Sequence, residues 1–417
     1  MNVAEFAARV GHVGLLLAAL LLVATFGRAV SRFLRQPTVV AEITFGLAVG
    51  PVLKYFGVEK ILLPKETLGW LHDIGHVGLV LFLLGVAHEI RRTKVPPGGR
   101  LIAWTIAGSL VVPALAGCVF AAVVVTDPTL RGTAPTAAVV VLLAAALSVT
   151  AVPVLARILE ERQLFDTPAG RLAMTASMII DVVAWTLLVL AIGLASGGGG
   201  GVPRLLAVVA IGLLLVFCLG RLLRAAAVTR FRERFGALTV VLVGAAGLAG
   251  SWVFQKQGVT DIFGALLVGL AIPADGWHAV VQRASRIGRP LVPVFFVVTG
   301  VGVFAGPIGS TPWLAIVLAA LLGTAGKMSG GYLGARLGGA PASDAARVGV
   351  LVNTRGLTEL VLLQAGYSAG ILTAPLFLAL VVMALMTTAM TGPCYNLLER
   401  RSARRWRVAA LVLEGGG

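Results

Sequence analysis

Ser177-Met-Ile-Ile-Asp181-Val-Val-Ala-Trp185 is the stretch that decides the fold. One carboxylate stands in an otherwise apolar run. It lies about ten residues beyond Arg171, where the run begins. At ~1.5 Å per residue that is ~15 Å, half the thickness of a hydrocarbon core. A charged side chain there costs at least ~2.5–3.5 kcal/mol, so an acid kept at that depth marks a functional site. Ser177 precedes Asp181 by one helical turn and Trp185 follows by one, on the same face.

The surrounding composition fits a membrane setting. Of 417 residues, 58% are hydrophobic and only 12% charged. Apolar runs recur from end to end, which excludes an ordinary soluble domain. The runs are continuous rather than alternating, which excludes a barrel of strands. The expected class is an all-α integral membrane protein. Thirteen spans can be drawn, at about 11–27, 38–56, 70–88, 101–125, 135–159, 169–194, 203–223, 235–254, 259–274, 288–306, 312–337, 346–370 and 374–398.

A net charge of +16 raises the question of nucleic acid. Its distribution answers it. With alternate loops assigned to opposite sides, 25 of the 34 basic residues fall on one side and seven on the other. Clusters such as Arg28, Arg32 and Arg35, or Arg221 through Arg234, sit on the rich side. The two remaining are Lys327 and Arg355, inside spans. This is the positive-inside bias. It places the N-terminus outside and the C-terminus in the cytoplasm, in a plasma membrane, with an attraction to anionic lipid. No nucleic-acid partner is expected.

Cys118, Cys218 and Cys394 are too far apart in sequence to suggest a disulfide or metal motif. The first apolar run lacks a basic leader and reads as a retained span. Residues 1–398 read as one transmembrane domain and 399–417 as a short basic tail, with no nucleotide-binding domain. Gly197 to Gly201 read as a flexible connector.

Helices 2–6 and 9–13 read as two copies of a five-helix unit, about 38–194 and 259–398. An offset of seven helices inverts one copy in the membrane, and such repeats place a site at midplane between broken helices. The fourth helix of each unit carries breakers at depth. These are Thr150-Ala-Val-Pro153 in one and Asn353-Thr-Arg-Gly356 in the other, and the two broken helices are expected to cross at midplane. Pro153 removes a hydrogen bond and frees carbonyls.

Asp181 can hold a cation or a proton in competition, with Ser177 on its face. Lys327, two turns from Arg336, is too deep for a loop residue and is expected as its charge partner. Arg355 and Glu359 are spaced to pair along one face. Glu42 reads as a helix anchor near the cytoplasmic side, and Asp73 and Asp261 as solvated. His72 and His76 have metal-ligand spacing without a clear third ligand, so they read as interfacial, and no metal is expected beyond a transported ion.

These stretches resemble the sodium/hydrogen exchanger domain of the cation:proton antiporter superfamily, in the branch with bacterial Na⁺/H⁺ antiporters and glutathione-gated K⁺ efflux systems. The resemblance covers about residues 35–395. It is carried by Gln36-Pro37 through Glu42 to Gly50-Pro51, Leu81-Phe-Leu-Leu-Gly85, Ser148-Val-Thr150-Ala-Val-Pro153, Phe295-Phe296 with Gly300, Lys327, and Asn353-Thr-Arg-Gly-Leu-Thr-Glu359. It implies Asp181 as ion and proton carrier, Thr150 and nearby carbonyls as co-ligands, Lys327 as charge partner, and a homodimer with elevator-type motion. Electrogenic members carry two adjacent acids on the ion-binding helix. Here the position before Asp181 is Ile180. The expected activity is exchange of Na⁺ or K⁺ for H⁺, electroneutral and without cofactor. The alternatives are a channel-like K⁺ path, sodium-coupled uptake of an organic anion, or a non-transporting scaffold.

Overall fold

The computed structural model describes residues 3–34, 37–38, 40–42, 44–46, 55, 57, 64–92, 98–127, 129–196, 201–257, 261–303 and 312–414. Every regular element among them is helical. In chain order these are α1 (Val3–Leu34), α2 (Lys65–Arg92), α3 (Gly99–Thr126), α4 (Thr136–Ser148), α5 (Val152–Glu161), α6 (Pro168–Ser196), α7 (Gly201–Leu222) and α8 (Ala226–Arg234). There follow α9 (Gly236–Lys256), α10 (Asp261–Ala271), α11 (His278–Gly288), a 3₁₀ turn at Arg289–Leu291, α12 (Val292–Val303), α13 (Trp313–Leu337), α14 (Ala342–Val352), α15 (Leu357–Ser368) and α16 (Ala374–Glu414).

Among the described residues, eight helices are long and apolar enough to cross a membrane, or nine if the α7–α8 pair, bent by 72°, is one span. Thirteen were expected. Three of the expected spans, at 259–274, 288–306 and 346–370, contain only helices of 11 or 12 residues: α10, α12, and the pair α14 and α15. α14 with α15 is broken in the same way as α4 with α5, which together run over 136–161. The expected span at 38–56 lies largely outside the described residues.

The chain divides into two compact units, one of residues 1–33, 38–95 and 197–307 and the other of 34–37, 96–196 and 308–417. In the first, α2 packs against α9, α10, α11 and α12. Leu20 of α1, Leu71 of α2, and Val294, Val297 and Val298 of α12 form one of its apolar clusters. Glu42 is fully buried.

In the second unit one order of elements occurs twice: a long helix, a helix broken in its middle, and a long helix. These are α3, α4 with α5, α6, and then α13, α14 with α15, α16. Gly326, Gly330, Gly334 and Gly338 recur every fourth residue on α13 and its end, so they share one face. That face meets α3 backbone to backbone. A Cβ on Gly330 would stand 2.3 Å from the carbonyl oxygen of Gly108, and one on Gly334 would stand 2.4 Å from that of Trp104. Small residues at this spacing allow the close approach that packs helices in lipid, where no hydrophobic force draws them together.

Candidate functional site

The two helix breaks meet. α4 ends at Ser148 and α5 starts at Val152, with Val149, Thr150 and Ala151 between them and the backbone extended at Val149 and Ala151. α14 ends at Val352 and α15 starts at Leu357. Gly356 closes the second break with φ 148°, ψ −125°, a conformation that a side chain resists. The hydroxyl of Thr150 donates to the carbonyl of Val352 at 3.0 Å, and the amide of Ala151 donates to the carbonyl of Thr354 at 3.1 Å. Each interrupted helix thus satisfies polar groups that the other leaves orphaned. Pro153 sits in the first turn of α5, where its missing N–H leaves no helical bond unmade.

Two buried cations finish the end of α4. The guanidinium of Arg355 donates to the carbonyl of Ala146 at 2.5 Å, to that of Leu147 at 2.6 Å and to that of Gly323 at 3.5 Å. The ammonium of Lys327 donates to the carbonyls of Ser148 and, at 3.0 Å, Ser109. The last three carbonyls of α4 therefore each accept from a fixed positive charge. They are the negative end of the half-helix dipole, so cations are favoured there.

Arg355 also forms the ion pair that its spacing suggests, 3.0 Å to Glu359, with both side chains fully buried. Glu359 lies in the first turn of α15, where the dipole favours an anion. Asn353 donates to the carbonyl of Thr387 at 3.1 Å, and the amide of Arg355 donates to the Thr388 hydroxyl at 2.9 Å, so α16 holds the second break. The arrangement is a neutralised polar seam in an apolar bundle.

Asp181 is 1% exposed, on the face of α6 that also buries Ser177, Ala184 and Leu188. Ile180 beside it is buried too. The Ser177 hydroxyl donates one turn back, to the carbonyl of Ala173 at 2.7 Å, which leaves its oxygen lone pairs as an acceptor. α6 packs against α3, α4 and α14, and α13 packs against the same three helices. The structure thus brings Thr150, Pro153, Asn353, Arg355, Glu359 and Lys327 to the crossed breaks, and buries Asp181 and Ser177 on a helix packed against them.

The family follows from comparison with known proteins. Residues 19–396 match the sodium/hydrogen exchanger transmembrane family. This chain belongs to that family. It is 33% identical over 402 residues to Cation/H(+) antiporter 20 of Arabidopsis thaliana, covering 88% of this chain and 46% of that one. It is 30% identical over 389 residues to the Na(+)/H(+) antiporter NhaS4 of Synechocystis sp., covering 88% and 92%. Against the K(+)/H(+) antiporter 1 of Saccharomyces cerevisiae it is 29% identical over 392 residues, covering 89% and 44%. The chain spans about half the length of the plant relatives it matches. In fold it is similar to the sodium proton antiporter MjNhaP1 of Methanocaldococcus jannaschii, with a TM-score of 0.57 at 15% identity over 93% of this chain and 95% of that one. Membership makes this a multi-pass membrane protein of a transporter family.

Two features of the seam were not read from sequence. Thr387 and Thr388 look like ordinary small residues of a span, and no local pattern gives them away. The close approach of α3 to α13 was legible in principle, as glycine every fourth residue from Gly326 to Gly338. His72 and His76 stack at 6.2 Å, and His76 lies 3.4 Å from the Ser251 hydroxyl. That arrangement uses the histidines for packing. The side chain of Asp261 and the segment around Gly50-Pro51 lie outside the described residues.

Proposed function

We propose that this protein exchanges a monovalent cation, Na⁺ or K⁺, for H⁺ by elevator-type alternating access. The observation that carries the reading is the crossed pair of breaks beside a helix with a buried acid. Irregular backbone at membrane depth is tolerated where it lines an ion site, and discontinuous helices hold such sites in transporters. Asp181 is the exchanging group. One proton or one monovalent cation neutralises it equally, so the two compete. The carboxylate, the Thr150 hydroxyl oxygen and the Ser177 hydroxyl oxygen supply the hard oxygen donors such a cation takes. Arg355, Glu359, Asn353 and Pro153 hold the breaks in shape, and Lys327 supplies the charge opposite Asp181.

The wider architecture in this reading is thirteen spans with two inverted five-helix repeats, in a homodimer within the plasma membrane. The N-terminus is outside and residues 399–417 form a cytoplasmic tail. The names of the relatives, which include Na⁺/H⁺ and K⁺/H⁺ antiporters, support the substrate class.

The test is proton movement in proteoliposomes, read with a pH-sensitive dye as Na⁺, K⁺ or Li⁺ is added in turn. Wild type responds to at least one of these. Asp181→Asn, folded and reconstituted to the same density, does not. Exchange at the wild-type rate in that variant removes Asp181 from the site.

A further inference from the structure

A cavity lies in the unit that does not contain Asp181. It measures about 130 Å³ and is lined by α7, the bent helix α8, α9 and α10. Leu223, Val228, Phe231, Val243, Ile272 and Trp277 form its walls. That is close to the ~150 Å³ apolar cavity that accepts a benzene ring, so a segment of about six carbons fits. The cavity is not sealed. Phe231 is 36% exposed and Leu242 is 50% exposed, and Leu213, Leu214, Leu238 and Val241 continue an apolar outer surface on α7 and α9.

The rim is basic. Arg224 follows Leu223 directly, and Arg232 follows Phe231 and lies over the Trp277 ring at 5.4 Å from its centroid. Arg91 donates to the carbonyl of Leu270, and Arg224 stands near enough to act on it as a like charge. Among the described residues no carboxylate pairs with Arg221, Arg224, Arg230 or Arg234, and Arg232 has only the exposed Glu233, at 3.3 Å. Like charges gathered at the mouth of an apolar cavity lack the anion that would balance them.

We propose that this cavity seats one acyl chain of an anionic phospholipid whose phosphate lies on Arg224 and Arg232. Bilayer lipid supplies both parts, an apolar chain for the walls and a phosphate for the rim. Guanidinium forks match phosphate oxygens in pairs. A second copy of the chain fits less well, because it would set two arginine clusters against each other. The inference is independent of which ion is exchanged.

The experiment is native mass spectrometry and thermal unfolding of the full chain in detergent, with phosphatidylglycerol or phosphatidylcholine added. Wild type retains phosphatidylglycerol selectively and melts several degrees higher with it. Arg224→Gln/Arg232→Gln binds it about thirtyfold more weakly, since each headgroup contact at the surface is worth about fivefold. Ala246→Phe fills the cavity and also loses the lipid, whereas Ala245→Phe, on the neighbouring exposed position outside the lining, keeps it. Equal retention of the two lipids overturns the proposal. So does stabilisation by glycerol phosphate alone, or a change of oligomeric state in Ala246→Phe with lipid retained. If these variants do not fold, a diazirine-bearing acyl chain on phosphatidylglycerol should label peptides within 219–246 of wild type, and labelling confined to other segments overturns it equally.

Discussion

The ammonium of Lys327 on α13 donates to the carbonyl of Ser148, the last residue of α4. A long helix from one half of the second unit thus caps the broken helix of the other. The glycine face of α13 makes this possible, because it brings the α3 backbone close enough for Lys327 to reach Ser109 as well. Lys327→Met should leave two buried carbonyls without a donor, at about 1–3 kcal/mol each. Relief of the buried charge offsets part of that. A net loss of ~1–3 kcal/mol is expected, read as a lower melting temperature in detergent. An unchanged melting temperature would show that these bonds are not made.

Arg355 and Glu359 should respond unequally to truncation. Arg355→Met strands a buried carboxylate and three carbonyls, and a cost of about 3–5 kcal/mol is expected. Glu359→Leu leaves the guanidinium still bound to Ala146, Leu147 and Gly323, so its cost is smaller. The double variant should be more stable than Arg355→Met alone, since the stranded charge is gone. A double-mutant cycle with additive losses would argue against a coupled pair.

Much of this site was legible because charge in an apolar run is conspicuous. Asp181, Lys327 and Arg355 stood out by depth alone, and the breakers at Thr150–Pro153 and Asn353–Gly356 stood out as helix-stopping chemistry. What did not show was who meets whom. Lys327 donates to the carbonyls of Ser109 and Ser148, and a carbonyl has no sequence signature. The full burial of Glu42 was not legible either, because burial is set by neighbours far along the chain. The breaks inside spans were least legible, because helices of 11 or 12 residues and long ones share the same composition.

Gly330 should tolerate no side chain. In Gly330→Ala the added Cβ stands 2.3 Å from the Gly108 carbonyl oxygen, and main chain cannot turn aside as a side chain would. The expected cost is at least ~1–3 kcal/mol. Gly69→Ala on α2 is the contrast, with nothing within 4 Å of its new Cβ. It should be neutral or gain up to about 1 kcal/mol from helix propensity. Thermal unfolding of the two in parallel checks the contrast, and equal behaviour would contradict the packing of α3 on α13.

Orientation can be read chemically. On the proposed topology Arg162 and Arg232 face the cytoplasm. In a background lacking Cys118, Cys218 and Cys394, cysteine at either position should resist an impermeant maleimide in intact cells and react after lysis. Ready reaction in intact cells would reverse the topology.

Stoichiometry is the sharpest consequence of Ile180. It is buried beside Asp181 and cannot titrate, so that helix face offers one carboxylate. On the proposed reading one proton leaves for each cation that enters, and electroneutral exchange is the expected outcome. Lys327 is the complication. A buried ammonium that released its proton when the cation bound would add a second proton and a net charge to the cycle. Its bonds to Ser109 and Ser148 are compatible with either state, because a neutral amine keeps two N–H donors for the two carbonyls. The measurement imposes a membrane potential of either sign on proteoliposomes with valinomycin, using Na⁺ as the transported ion. Neither the rate nor the endpoint should follow the potential. If they do, the one-for-one reading fails, and Lys327→Gln becomes decisive: loss of the potential dependence would assign the extra proton to Lys327, and its persistence would place that proton elsewhere.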